Sequence, residues 1–267
     1  MPQHVNDVMQ LFLRWGHVVA GIIWIGHLYF FNWVNANFVK VLDGPTKKLV
    51  VPELMPRALF WFRWGAAWTW ITGLLLGGLI YYHGKAAFED PNNTENNPWL
   101  WLAIVLVIIA VGFVVYNLVM KKVKNVIAAN AIVLLLLAAA YLFLEYVGEF
   151  SGRSLYLHTG MILGSIMAAN VWMVIWPYQK KIIAATKEGT APDAALVAQA
   201  GLRSRHNTFM SVPLIFTMVS NHFSTVFGNV NEIGGVRVRD LLLIGVFVLG
   251  FGFVRSMYGK SAKVAGF

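Results

Sequence analysis

Long apolar runs alternate with short polar segments rich in Asn, Pro and Lys along this chain. At about 20 residues per crossing of a bilayer, the pattern predicts seven helices, near residues 10–34, 58–82, 98–119, 125–146, 154–177, 207–227 and 240–257. The sixth run is the least apolar because it carries Ser211, Ser220, Asn221 and His222. Polar side chains at that density suit a helix facing protein rather than lipid. Residues 83–98, HGKAAFEDPNNTENNP, have no periodicity and read as a loop. Residues 178–206 read as a long loop with a short interfacial helix from Pro192 to Leu202. The first run follows MPQHVNDVMQ, which has neither a basic stretch nor a small-residue cleavage site, so it is expected to be retained as a span.

Composition sharpens this reading. Of 267 residues, 58% are hydrophobic and 12% charged, about half the charged share of a soluble domain, which points to one integral membrane domain over 1–267. The expected fold is all-α, a polytopic transmembrane helix bundle in a lipid bilayer. With no cysteine, the chain has no disulfide, no thiolate metal site and no covalently attached c-type haem. Any haem is held by side chains alone.

Charge gives the orientation. Of the 21 Lys and Arg, all but Arg14, Lys85, Arg153, Arg237 and Arg239 fall on one side of the predicted spans. By the positive-inside rule that side is cytoplasmic, so the N-terminus is outside and the C-terminus cytoplasmic. The net charge of +9 is therefore a topology signal, and no nucleic-acid partner is expected. The outer side carries Glu89, Asp90, Glu95, Glu145, Glu149 and Glu232, a balance suited to steering a basic soluble partner.

Four histidines, His17, His27, His158 and His222, lie inside the predicted spans. An imidazole in hydrocarbon costs free energy unless it is hydrogen-bonded or ligated, so each is a functional candidate. Counting along each span places His17, His158 and His222 toward the outer leaflet, whereas His27 lies about 15 Å deeper than His17. Imidazole binds iron, zinc and copper, and without thiols or clustered membrane carboxylates haem is the best match. Gly21 beside His17 and Gly160 beside His158 suggest room for a flat macrocycle. The competing reading is that each histidine only hydrogen-bonds across the helices, and that Gly73-x-x-x-Gly77 and Gly160-x-x-x-Gly164 are packing motifs. Trp residues concentrate near span ends, as an interfacial belt does. Arg63 is either a snorkelling anchor or an anion partner.

Three segments carry a resemblance: RWGHVVAGIIWIGHLYFFNW (14–33), ALFWFRWGAAWTWITGLLLGG (58–78) and SRHNTFMSVPLIFTMVSNHF (204–223). They resemble the membrane-embedded N-terminal domain of the PuuD-type urate oxidases, also called urate hydroxylases. The third is the most specific, with Arg205-His206-Asn207, Met210-Ser211-x-Pro213 and Ser220-Asn221-His222.

The resemblance implies a multi-pass protein of the bacterial inner membrane that oxidises urate, with one or two non-covalent haem b groups. His17, His27, His158 and His222 are the expected haem-binding residues, with His17, His158 and His222 on iron. Arg63, Asn207 and Asn221 are expected to meet the anionic purine. In that family a c-type cytochrome domain follows the last membrane helix. This sequence has no such motif, so a separate c-type cytochrome, or membrane quinone, is the expected acceptor. Two other classes stay open: a b-type cytochrome subunit of a larger membrane complex, and a non-redox membrane protein.

Overall fold

The computed structural model describes residues 2–93, 95–223, 227, 232–233 and 235–264. It is all-α apart from one short hairpin. Helix α1 (Gln3–Tyr29) runs through a π-helical turn (Phe30–Asn35) into α2 (Ala36–Val41). Helix α3 (Gly44–Gly77) ends in a second π turn (Gly78–His83). Then come α4 (Pro98–Lys122), α5 (Val126–Tyr146) and α6 (Gly152–Ala169), which passes through a third π turn (Asn170–Ile175) into α7 (Trp176–Glu188). Helix α8 (Ala194–Val219) closes with a 3₁₀ turn (Ser220–His222). Strands β1 (Glu232–Ile233) and β2 (Val236–Arg237) pair antiparallel before α9 (Val238–Ser261).

Each predicted apolar run coincides with helical chain; most of the helices extend beyond the predicted bounds, α5 starts one residue later than predicted, and the sixth run outlasts its helix. Helix α3 starts well before residue 58 and carries Pro52 and Pro56 inside it. The expected interfacial helix at 192–202 is the first part of α8, continuous with the sixth run. That run was expected to reach 227, but the α-helix ends at Val219, and residues 224–226 lie outside the described residues. Among the described residues, the stretches Gln3–Val41, Pro98–Lys122, Val126–Tyr146, Gly152–Glu188 and Val238–Ser261 are long and apolar enough to cross a membrane. The protein is a membrane protein, and its exposed Leu106, Val107, Val111, Leu135, Ile244 and Leu249 suit a lipid-facing surface.

Local chemistry sets several helix ends. The Asn97 side chain accepts from the backbone N–H of Trp99 and Leu100, with Pro98 in the first turn, and Asn125 does the same for Ile127 and Ala128. At the start of α3, Thr46 N–H donates to the Asp43 carboxylate at 2.9 Å. Bonds from Thr46 hold that carboxyl below its ordinary pKa. Helix α7 stops at Gly189, whose φ of 77° is the left-handed conformation glycine takes without strain.

The chain, expected to be one domain, divides into two compact units. The first comprises Met1–Thr72, Met167–Val212 and Val248–Phe267. Its α1–α3 contact depends on Gly65, where a Cβ would lie 2.9 Å from Trp24 N and 3.2 Å from Ala20 O. Trp24, Leu28 and Phe62 are buried there. Amides cross-link the rest. Asn32 donates to Leu28 O (2.9 Å) and Ser204 Oγ (2.8 Å) and accepts from Tyr258 O–H (2.8 Å). Asn170 donates to Asn207 Oδ1 at 2.9 Å, and Asn207 donates to Met167 O at 2.9 Å.

The second unit comprises Gly73–Ile166 and Pro213–Phe247. Leu155, Tyr156, Val105 and Leu144 form its interior. Gly160 lets α6 meet Thr217 and Met218. One end is tied by buried Glu145, which accepts from both Arg237 and Arg239, while Asp240 accepts from Arg237 at 2.9 Å and from Tyr141 O–H at 2.6 Å. Bonding to Glu145 drives the Arg237 guanidinium further above its ordinary pKa.

Candidate functional site

The histidines differ sharply in what holds them. In the second unit His158 is fully buried on α6. Its Nδ1 lies 2.7 Å from Ser154 O, and because a carbonyl only accepts, Nδ1 carries the proton. Nε2 therefore offers a lone pair, which takes the Tyr82 O–H at 2.8 Å. Tyr81, Tyr82 and Phe150 pack edge-on around the ring with centroids 4.9–5.8 Å away. The π turn at Gly78–His83 is what brings Tyr81 and Tyr82 there. His222, in the same unit, sits exposed in the 3₁₀ turn after α8.

In the first unit His17 Nδ1 lies 3.1 Å from Thr72 Oγ1. The Thr72 hydroxyl hydrogen goes to Trp68 O at 2.6 Å, so Thr72 accepts from His17 and the lone pair of His17 is on Nε2. His27 has the same tautomer by a simpler route, with Nδ1 2.7 Å from Ile23 O.

A haem ligand needs an imidazole nitrogen with a lone pair, with the other nitrogen tied to an orienting acceptor. His17 and His27 meet this condition. His158, expected on iron, does not as arranged, because Tyr82 takes the nitrogen iron would need. Of the glycines expected to leave room for a macrocycle, Gly160 is filled by Thr217 and Met218, whereas a Cβ on Gly21 would make only an ordinary contact, 3.9 Å from Thr69 Cγ2. Among the described residues no three of His, Asp and Glu are grouped to hold a metal ion. Alongside Thr72 runs an open apolar groove of about 640 Å³ between α1 and α3, lined by Gly16, Gly65, Trp15, Trp61, Trp64 and Trp68. That volume lies within the range of small-molecule sites.

The three expected substrate residues do not share a unit. Arg63, in the first, lies over the rings of Trp176 (4.1 Å to its centroid) and Trp172 (5.7 Å). Its buried Nε has no hydrogen-bond partner. Asn207, also in the first, is fully buried and engaged with Asn170 and Met167. Asn221, in the second, accepts from Tyr81 O–H (2.9 Å) and Arg153 Nε (3.1 Å).

Of the outer acids, Glu145 is buried under two arginines and is no steering charge, whereas the side chain of exposed Glu149 accepts, among the described residues, from the amides of Asn93 (3.4 Å) and Asn96 (3.1 Å). Sequence reasoning missed Thr72 and Tyr82, which decide which imidazole nitrogens are free, and Asn35, whose Oδ1 is buried without a partner. No sequence signal marks them, since each acts through packing distant along the chain.

A sequence model described as "Urate oxidase N-terminal" matches residues 43–264. No curated protein and no solved structure matches the chain.

Proposed function

We propose, from the premise that the chain belongs to the urate oxidase N-terminal family, that it is a urate-oxidising membrane protein of the bacterial inner membrane working with non-covalent haem b. The family match, across more than four-fifths of the chain, carries this reading. In the reaction one urate takes up one water and gives up two electrons and two protons. Haem b supplies one-electron exchange when bound. His17 and His27, separated by about 15 Å of helix rise, would hold one haem each and not share one, since Thr72 and Ile23 fix their tautomers so that Nε2 keeps its lone pair. Arg63, over Trp172 and Trp176, forms no salt bridge among the described residues and provides a cation suited to the purine anion. The acceptor is a c-type cytochrome or membrane quinone. Glu89, Glu95 and Glu149, all exposed, suit a basic cytochrome.

The test is urate loss in oxygen-free membranes carrying the chain, with oxidised cytochrome c added. The reading expects two cytochromes reduced for each urate consumed. Reduction of quinone alone would move the exit into the bilayer, and no urate loss with either acceptor would overturn the activity.

A further inference from the structure

A cavity of about 1070 Å³ in the first unit lies away from His17 and from the tryptophan groove, and its wall is graded along α3. The residues of that helix that line it run Lys47, Lys48, Val51, Met55, Leu59 and Phe62, three or four apart from Lys48 onward, which is one face of a helix. Lys48 is exposed, whereas Met55, Leu59 and Phe62 are buried. Helix α7 and its end repeat the gradient, with Gly189 and Thr190 exposed, Ile182 half-buried and Ile175 buried. The cavity therefore has a cationic mouth and an apolar interior.

The mouth is built around Lys48. A Cβ on Gly189 would lie 3.2 Å from Lys48 Nζ and 3.7 Å from its Cδ and Cε, so the glycine that ends α7 also makes room for this side chain. Lys47 lines the same mouth and acts also on nearby Asp43. No Asp or Glu is among the described lining residues, and no salt bridge among the described residues involves either lysine. Thr186 and Thr190 stand there too. Their hydroxyl hydrogens go to Ile182 O (2.9 Å) and Ala185 O (3.2 Å), which leaves two oxygens that accept.

These features fit an amphiphile. A small soluble anion would meet the lysines and leave the apolar length unused, and a plain hydrocarbon would do the reverse. The depth fits as well: from Lys48 to Leu59 a helix rises about 16 Å, and one leaflet contributes roughly 15 Å of the ~30 Å hydrocarbon core. Both lysines fall on the side that the Lys and Arg distribution marks as cytoplasmic, where basic residues beside the membrane attract anionic lipids. Two lining residues, Ala36 and Val197, are apolar and exposed, which suits a second chain lying outside in the bilayer.

We propose that this cavity holds one anionic glycerophospholipid of the cytoplasmic leaflet. Its phosphate sits at Lys48 and Lys47, its headgroup hydroxyls face Thr186 and Thr190, and one acyl chain runs along α3 to Leu59 and Phe62. The lining includes none of the residues assigned to haem or purine, so failure here would leave the urate reading untouched.

The test is native mass spectrometry of the full chain in mild detergent, titrated with phosphatidylglycerol, of which one molecule should stay bound. Phosphatidylcholine with the same acyl chains is zwitterionic and should bind several-fold more weakly, and inorganic phosphate, which has no chain, should not bind in the same range. Lys47→Ala with Lys48→Ala, at half-buried and exposed positions that spare the fold, should weaken phosphatidylglycerol by about tenfold or more, at roughly fivefold for each lysine beside an anionic headgroup. Lys121→Ala with Lys122→Ala, exposed at the end of α4 and outside this lining, should change nothing. Position is read separately: phosphatidylglycerol with a diazirine at the end of one acyl chain should crosslink to residues 55–62 or 175–182. No retained lipid, equal retention of the two lipids, equal binding of inorganic phosphate, unaltered binding in the Lys47 and Lys48 variant, or crosslinks confined to other segments would each overturn the assignment.

Discussion

Replacing Glu145 by Gln separates two roles that the outer acids were expected to share. Glu145 and Arg239 side chains are each 6% exposed, and Arg237 is 25% exposed. The substitution leaves Asp240 as the carboxylate paired with the two arginines among the described residues, at 2.9 Å from Arg237 and 3.9 Å from Arg239. Removing one partner of a buried ion pair costs about 3–5 kcal/mol. Because Asp240 keeps part of the compensation, the lower end, about 3 kcal/mol, is expected here. At roughly 2–4 °C per kcal/mol for a chain near this size, the midpoint should fall by about 6–12 °C. The assay is thermal unfolding in detergent, followed by tryptophan fluorescence, beside Glu149→Gln. Glu149 is exposed and its described side-chain partners are amides, so its neutralisation should stay within about 0.5 kcal/mol. The Glu145 effect should also persist in high salt, since buried pairs are poorly screened. A Glu145→Gln shift no larger than that of Glu149→Gln would refute the buried-anchor reasoning and return Glu145 to the exposed docking charges.

Gly65→Ala should destabilise by about 1–3 kcal/mol, despite alanine's better helix propensity, because the new Cβ would meet the backbone of α1; Gly112→Ala, with nothing within 4 Å, should be tolerated in the same melt. His17→Ala should lower haem content in a pyridine haemochrome assay, whereas His158→Ala should spare haem and instead lower the melting midpoint; the opposite pattern would show that Tyr82 yields its place to iron. Reporter fusions should read external within residues 83–98 and cytoplasmic after Ser261, and reversed readings would overturn the charge-based orientation.

Much of the fold was legible because apolar runs and their punctuation agree. Asn97-Pro98 and Asn125 cap α4 and α5 within a residue of their expected starts, and both helices are uniformly apolar. Where the chain turns amphipathic, hydropathy marks the lipid-sized part of a helix and not its ends. Helix α1 begins at Gln3, with Gln3–Asp7 and Arg14–Gln10 hydrogen bonds along its polar face, and α3 carries two prolines that read as a break. The three π turns have no composition signal, yet they position Asn35, Tyr82 and Asn170. The candidate histidines were legible as residues out of place in hydrocarbon. Their roles were not, because Thr72 and Tyr82 stand 55 and 76 positions from the imidazoles they bind. Likewise Gly160 near His158 suggested a cofactor slot, and only the facing helix reveals that Thr217 and Met218 occupy that face.

The central claim is a haem-bearing membrane protein that takes electrons from urate, and one spectrum tests it most directly. Urate is added without oxygen to the purified, haem-supplied protein, and the visible difference spectrum is compared with that after dithionite. The account predicts that urate alone produces the reduced b-type bands in the wild type, and that His17→Ala loses them. Haem that dithionite reduces but urate leaves oxidised, or protein that folds and carries no haem at all, would contradict it.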